Sequence, residues 1–258
     1  MRLLKRILSA AAVLDLSASL LVGCSSGTAS SVPVSASSAA ESTVSSVEET
    51  ASSAVDENEA AAAQLLNDLT GSYQELWPVI LADEYKQTWL DDCTALVGED
   101  NAEAAFEKLS SMVTGDVYGE DAVKAYANGG GAYFCGFTNS LATLTFDGET
   151  STISGTDKDG NVLFSHTYHY IGMEPVHELY EFESDDADSG EFTYFFLAPD
   201  ISAETYHIEF RYGSDAEALS QYDAGEYAYW VASGISTDCD QTMIDNCIEL
   251  FCTENLAG

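Results

Sequence analysis

The segment from Thr205 to Ser214 alternates polar and apolar side chains along its length. Its polar members are His207, Glu209 and Arg211, and its apolar members are Tyr206, Ile208, Phe210 and Tyr212. A period of two predicts a β-strand. His207 and Glu209 then share one face, where both could reach one metal ion or one small polar ligand. The same alternation also describes a strand whose polar face simply meets water.

Six more short segments with strand character precede this one, at residues 132–138, 140–146, 150–155, 161–170, 175–183 and 191–198. Turn residues separate them at Asp147-Gly148, Asp159-Gly160 and the Asp-rich stretch 184–190. This spacing predicts an antiparallel meander that closes into a barrel. Helical patterns flank it at 59–69, 74–90, 102–112 after an Asn101 cap, 120–127, 215–222 and 237–254. The predicted class is therefore mainly β, a barrel with helices on both sides.

The first residues have the features of a lipoprotein leader. Residues 1–23 carry a basic start and a mostly apolar middle, interrupted by Asp15, and the run Leu21-Val-Gly-Cys24 reads as a lipobox. Residues 24–57 are mostly Ser, Ala, Thr, Val and Glu and predict a disordered tether. The remaining domain spans 58–258. We therefore expect the protein at the cell membrane, on the extracellular or periplasmic face, anchored by lipid on Cys24.

The chain is strongly acidic, with 44 Asp and Glu against 8 Lys and Arg and a net charge of −36. Binding to a phosphate backbone needs clustered Lys and Arg, so nucleic acid is excluded as a partner. The acidity predicts either a repulsive, soluble surface or a field that concentrates divalent cations.

The number and spacing of the cysteines limit which disulfides and which cysteine-based metal sites the chain can form. With Cys24 lipidated, an odd number of the 6 cysteines remains, so they cannot all pair internally, and the connectivity of any disulfide stays open. Their spacing matches no zinc-ribbon or zinc-finger pattern.

The chain has no nucleophile elbow, metalloprotease helix, P-loop or dinucleotide fingerprint. We therefore expect a binding protein rather than an enzyme.

Several motifs, in order and spacing, resemble one known family. The matching pieces are Gly71–Pro78 (GSYQELWP), Val176–Phe182 (VHELYEF) and His207–Gly213, followed by Ser214–Leu219, within residues 68 to 255. Together they resemble the ZinT (YodA) family of periplasmic or cell-surface zinc-binding proteins. The resemblance implies a lipocalin-like (calycin) barrel that binds zinc through three histidines at its mouth. His207 matches one of them, whereas Glu209 and Ala198 stand where the other two would be.

The other histidines of this chain are candidates for the missing zinc ligands. His166 and His169 lie toward the end of one predicted strand, His177 at the start of the next and His207 at the start of the last. In a meander these positions meet at one rim, and a turn count places His169 opposite His177. The predicted zinc ligands are His207, Glu209, His177 and His169, with His166 a packed core residue.

Two functions are compatible with these patterns. The first is a lipid-anchored extracellular protein that captures zinc or another divalent metal and passes it to an uptake system, with a metal ABC transporter as partner. In the second, Arg211 holds Glu209 in an ion pair. The barrel would then be a ligand- or protein-binding module with no metal site.

Overall fold

A closed barrel of eight antiparallel strands forms the centre of the protein. In this computed structural model, which describes residues 57–199 and 207–257, each strand pairs with the next and the last pairs with the first. The strands are β1 (Gly71–Glu75), β2 (Thr143–Asp147), β3 (Thr152–Thr156), β4 (Val162–Met173), β5 (Tyr180–Ser184), β6 (Tyr194–Leu197), β7 (His207–Gly213) and β8 (Ala232–Ser236). Lipocalins share this up-and-down architecture of eight strands. The predicted class, a barrel with flanking helices, is confirmed. The leader, Cys24 and the tether up to residue 56 lie outside the described residues.

Helices precede and follow the strands. They are α1 (residues 57–68), α2 (Leu76–Ile80), α3 (Lys86–Val97), α4 (Glu99–Val113), α5 (Glu120–Ala127), α6 (Ala216–Leu219) and α7 (Gln241–Leu256). Short 3-10 turns lie at Asp83–Tyr85 and Gly190–Phe192. Within the described ranges, no helix combines the length and apolar character needed to cross a membrane.

Local side-chain chemistry explains several boundaries. Gly98 separates α3 from α4 at φ 83°, a left-handed conformation that glycine adopts without steric cost. Asn101, predicted as the cap of α4, lies inside the helix, because α4 begins at Glu99. The Asp240 carboxylate caps α7 by accepting from the amide of Met243 at 3.0 Å.

The two faces of the barrel wall have different environments. On β4 the side chains of Phe164 and Tyr168 are buried, whereas those of Ser165, Thr167 and His169 are exposed. Paired residues of neighbouring strands point to the same side, so the strand register extends the Phe164 face around the whole barrel. This inner face carries large, buried side chains: Tyr73, Leu144, Phe146, Ile153, Phe164, Tyr168, Phe182, Phe195, Ile208, Phe210 and Tyr212.

The inner side chains contact one another across the barrel. The rings of Phe164 and Phe195 lie 6.0 Å apart between centroids, and those of Phe195 and Phe210 lie 6.3 Å apart. Gly155 completes this packing, because a Cβ at that position would overlap Leu141 and Phe164. The interior is therefore a filled core.

The barrel uses two strands that the sequence did not predict. Residues 132–138 were predicted as a strand, but of these only Phe134 forms bridges, to Thr114 and Trp230. The barrel is closed instead by β1, at the start of a predicted helix, and by β8. Likewise β5 begins at Tyr180, so the first part of the predicted strand 175–183 is a turn.

Candidate functional site

The outer face of β7 carries three polar side chains in a row: His207, Glu209 and Arg211. Cross-strand pairing of Phe210 with inner-face Ala232, and of Arg211 with Phe196, places this row outside the barrel wall. All three residues are nonetheless buried, with exposed fractions of 2%, 3% and 0%. Chain segments outside the wall therefore cover a face that would be solvated in a bare barrel.

The Arg211 guanidinium binds one of these covering segments. It donates to the carbonyl oxygens of Leu219, Gln221 and Tyr227, and its Cζ lies 4.3 Å from the centroid of the Tyr222 ring. Burial lowers the pKa of Arg211, although Tyr222 opposes that effect. The guanidinium thus anchors residues 219–227 to β7. The hydrogen bonds described for the guanidinium all go to backbone carbonyl oxygens of this segment.

His207 and Glu209 lie two residues apart on this same face, roughly 7 Å between Cα atoms at the rise of a strand. Burial lowers the pKa of His207 well below its ordinary value, so the imidazole is held neutral. Burial also raises the pKa of Cys135, and the nearby Glu209 charge raises it further. A neutral imidazole and a carboxylate are both donors that zinc accepts.

His177 lies in the turn between β4 and β5, against the same covering segment. Its ring centroid is 3.9 Å from that of Tyr222, the ring that also contacts Arg211. Glu174 closes the turn, because its carboxylate oxygens accept from the amides of Val176 at 3.0 Å and His177 at 2.6 Å. Tyr222 thus connects His177 to the outer face of β7.

The other two histidines form pairs with neighbouring aspartates. His169 Nδ1 lies 2.8 Å from Asp185 Oδ1, and His166 Nδ1 lies 2.7 Å from Asp186 Oδ2. The predicted opposition of His169 and His177 is wrong, because the register pairs His169 with Glu183. The cause is the turn at 174–179, which removes His177 from the strand ladder.

The structure thus brings the predicted ligands together only in part. His207 and Glu209 are neighbours on one face, and Tyr222 connects that face to His177. His169 lies on the exposed outer face of β4, separated from β7 by β5 and β6. No three His, Cys, Asp or Glu side chains in the described ranges form a group able to hold a metal ion. Sequence reasoning missed Glu174 and Tyr222, although Glu174-Pro175 is a recognisable turn signal.

A surface groove of about 330 Å³ lies between α2, the end of α4 and the segment beside β8, and Cys135 is among its lining residues. It is lined mainly by apolar side chains and backbone, including Trp77, Leu81, Val113 and Phe134, with Glu75 at its edge. The Glu75 carboxylate already accepts from the amide of Phe137 at 2.6 Å. The groove therefore offers an apolar surface rather than a charged one.

Comparison with known proteins gives structural neighbours and nothing else. No protein-family model and no curated protein matches the chain. One similar solved structure is the Zn(II)-bound ZinT-like domain of Streptococcus pneumoniae AdcA, with 15% identity and a TM-score of 0.44 over 70% of this chain and 87% of that one. Another is Zn(II)-bound AdcA from the same organism, with 14% identity and a TM-score of 0.42 over 72% of this chain and 35% of that one. Similarity at this level assigns neither family nor ligand, so membership of the ZinT family stays a prediction.

Proposed function

We propose that this protein binds a divalent metal ion, zinc in the first place, on the outer face of β7. The observation that carries the proposal is the placement of His207 and Glu209, an imidazole and a carboxylate that lie two residues apart on one buried face. Zinc accepts both ligand types and leaves further positions to other side chains or water. The ion is the cargo of this protein.

The filled interior supports an outer site. A calycin-type ligand would need space within the barrel, but the inner face carries contacting aromatic rings and no position for an added methyl group at Gly155. The net charge of −36 favours accumulation of cations near the surface. The Arg211 guanidinium donates to three carbonyl oxygens of residues 219–227.

His177 is the favoured further ligand. It is connected through Tyr222 to Arg211 on the outer face of β7, whereas His169 lies three strand spacings away from β7, roughly 14 Å around the wall. The ligating atoms of two side chains on one zinc ion lie at most about 4 Å apart, since each bond from zinc to a ligating atom is roughly 2 Å long. His169, which is exposed and forms its own pair with Asp185, therefore serves as a matched control.

Metal analysis of the full chain tests the proposal. A form with Cys24→Ser and no affinity tag is equilibrated with zinc and desalted, and we expect one zinc ion per chain. Titration against a chelator of known affinity should give at least about tenfold weaker binding for His207→Ala and for Glu209→Gln. Binding should weaken less for His177→Ala and stay unchanged for His169→Ala. Circular dichroism of each variant separates loss of ligand from loss of fold.

One result would overturn the site. If the wild type and the double variant His207→Ala, Glu209→Gln bind zinc with the same affinity and stoichiometry, the outer face of β7 does not hold the metal. If His169→Ala also lost zinc binding, the site would instead lie on β4.

We further propose that lipid on Cys24 holds the domain at the outer face of the membrane, where it captures zinc and passes it to an uptake system. Support comes from the lipobox Leu21-Val-Gly-Cys24 and the Ser-rich segment after it. Cys24→Ala should shift the protein from the membrane fraction to the soluble phase or leave it unprocessed. Growth in chelator-treated medium should require the wild-type chain and should not be restored by His207→Ala.

A second candidate function is a binding module without metal. The observation that favours it is the apolar groove of about 330 Å³ beside α2, since pockets for small molecules are mostly apolar with few polar groups. An absence of zinc from the purified chain, together with weaker binding of an apolar fluorescent probe in Leu81→Asp, would favour this function.

A further inference from the structure

The sulfur atoms of Cys93 and Cys252 lie 3.9 Å apart in the interface between α3 and α7. The two residues are separated by 159 positions in the sequence, and both are fully buried. We infer that Cys93 and Cys252 are a disulfide-forming pair, which a small-molecule disulfide oxidises to a covalent link between the first and last thirds of the domain. This inference is independent of the metal site.

The surrounding contacts fix the two helices in a position that suits the bond. Trp89 lies one turn before Cys93 on α3, and its ring is 6.0 Å from that of Phe251, the neighbour of Cys252 on α7. Phe251 also packs edge-on against Trp77, at 4.8 Å between centroids. A disulfide needs its sulfurs at about 2.05 Å, so they must approach by roughly 2 Å. Side-chain rotation of the two thiols can supply that movement without separating the helices.

The chemistry balances with one equivalent of oxidant such as glutathione disulfide. The thiolate of one of the two cysteines attacks one sulfur of the oxidant, which forms a mixed disulfide and releases one glutathione thiolate. The thiolate of the other cysteine then attacks the protein sulfur of that mixed disulfide, which forms the internal bond and releases the second glutathione. Two protein thiols are oxidised, the oxidant is reduced to two thiols, and the two protons pass to the released thiolates.

The environment of the pair determines when the thiols can react. Burial raises the pKa of both thiols, so neither readily forms a thiolate while the helices are docked. Because both are buried, the oxidant reaches them while α7 is docking during folding or is transiently open.

Oxidative refolding of the full chain carrying Cys24→Ser tests the inference. The denatured, reduced chain is refolded with a mixture of reduced and oxidised glutathione. Peptides are then mapped by mass spectrometry without reduction. We expect a cross-linked peptide pair containing Cys93 and Cys252, and the loss of two titratable thiols per chain. Cys93→Ala and Cys252→Ala should each abolish that peptide pair, whereas Cys247→Ala, on the same helix, should leave it in place.

A second measurement needs no variant. Closing so long a loop should raise the Tm of the oxidised wild type above that of the reduced wild type by about 5 °C or more. The inference is overturned if refolding leaves the thiol count unchanged, or if the cross-linked peptides contain Cys135, Cys239 or Cys247 in place of this pair. Equal Tm values for the oxidised and reduced forms would also overturn the proposed link between the helices.

Discussion

Arg211 lies 4.3 Å from the ring centroid of Tyr222, and the ring of His177 lies 3.9 Å from the same tyrosine ring. The three residues come from β7, from the segment after α6 and from the turn between β4 and β5. They therefore join three separate parts of the chain on the outer face of the barrel. This arrangement holds residues 219–227 against the outer face of β7 at Arg211.

Replacement of Arg211 tests how much stability this arrangement supplies. Arg211→Lys keeps the charge but loses the planar fork that donates to several carbonyl oxygens, and a buried ammonium without those partners is costly. We expect the free energy of unfolding, measured by urea titration, to fall by about 2 to 4 kcal/mol. Lys158→Met, at an exposed position, should change it by less than about 0.5 kcal/mol. An Arg211→Lys variant as stable as the wild type would show that the carbonyl contacts contribute nothing.

Substitution of Gly155 tests whether the barrel interior is filled. Gly155→Ala adds a methyl group that overlaps Leu141 and Phe164, so we expect a loss of about 1 to 3 kcal/mol in the free energy of unfolding. Gly130→Ala is the control, because a Cβ there meets nothing within 4 Å. If Gly155→Ala is tolerated as well as Gly130→Ala, the barrel has space for a ligand and the outer site loses its main support.

Glu174 should make the protein sensitive to acid. Burial alone would raise its pKa, but the His177 side chain and the amides of His177 and Val176 lower it below its usual 4.5. A depressed carboxyl pKa stabilises the fold above the unfolded value, and that stability is lost as pH falls through the folded value. Glu174→Gln should therefore lower the midpoint of urea unfolding at pH 7 and have much less effect near pH 3. Glu149→Gln, in an exposed turn, should leave the midpoint unchanged at both pH values.

Asp92 should have the opposite pH dependence. Burial, with the charges of Glu249, Asp245 and Asp91, raises its pKa to about 6. The ionised carboxylate is disfavoured in the fold, so stability increases as pH falls from above 6 toward the unfolded value of 3.8. Asp92→Asn should raise Tm by about 2 to 5 °C at pH 7.5, and the gain should vanish near pH 4. Asp91→Asn, exposed on the same helix, should show a smaller change. A uniform gain at all pH values would argue against an ionised, half-buried Asp92.

The middle strands of the barrel could be predicted because their sequences alternate. β7 carries Ile208, Phe210 and Tyr212 at every second position, and β4 carries Phe164, Tyr168 and Tyr170 on one face, between turns marked by Asp and Gly. β1 and β8 could not be predicted, for different reasons. β1 is short and continues directly into α2, and β8 reads Ala-Ser-Gly-Ile-Ser, with Ile235 as its one large side chain. Their strand geometry is set by pairing with each other and with their neighbours rather than by local pattern.

The sequence predicted correctly that His207 and Glu209 share a face of β7, and it predicted wrongly that His169 lies opposite His177. Alternation fixes that His207 and Glu209 share a face, because it depends only on local geometry. The position of His177 depends on where β5 begins. The Glu174 carboxylate accepts hydrogen bonds from the two amides that follow Pro175, and the resulting turn delays the start of β5 to Tyr180. The irregular register between Tyr170 and Gly172 adds a second shift that no periodicity reveals.

Closure of the barrel by β1 and β8 has a consequence for biosynthesis. A ribosome makes β1 first and β8 last of the barrel strands, so the growing chain carries an open sheet with an unpaired edge at each side until β8 has been made. Only a chain that has left the ribosome through residue 236 can satisfy both edges. Nascent chains of this protein should therefore depend on holdase chaperones, and polypeptides halted before β8 should be degraded or aggregate rather than accumulate as folded fragments.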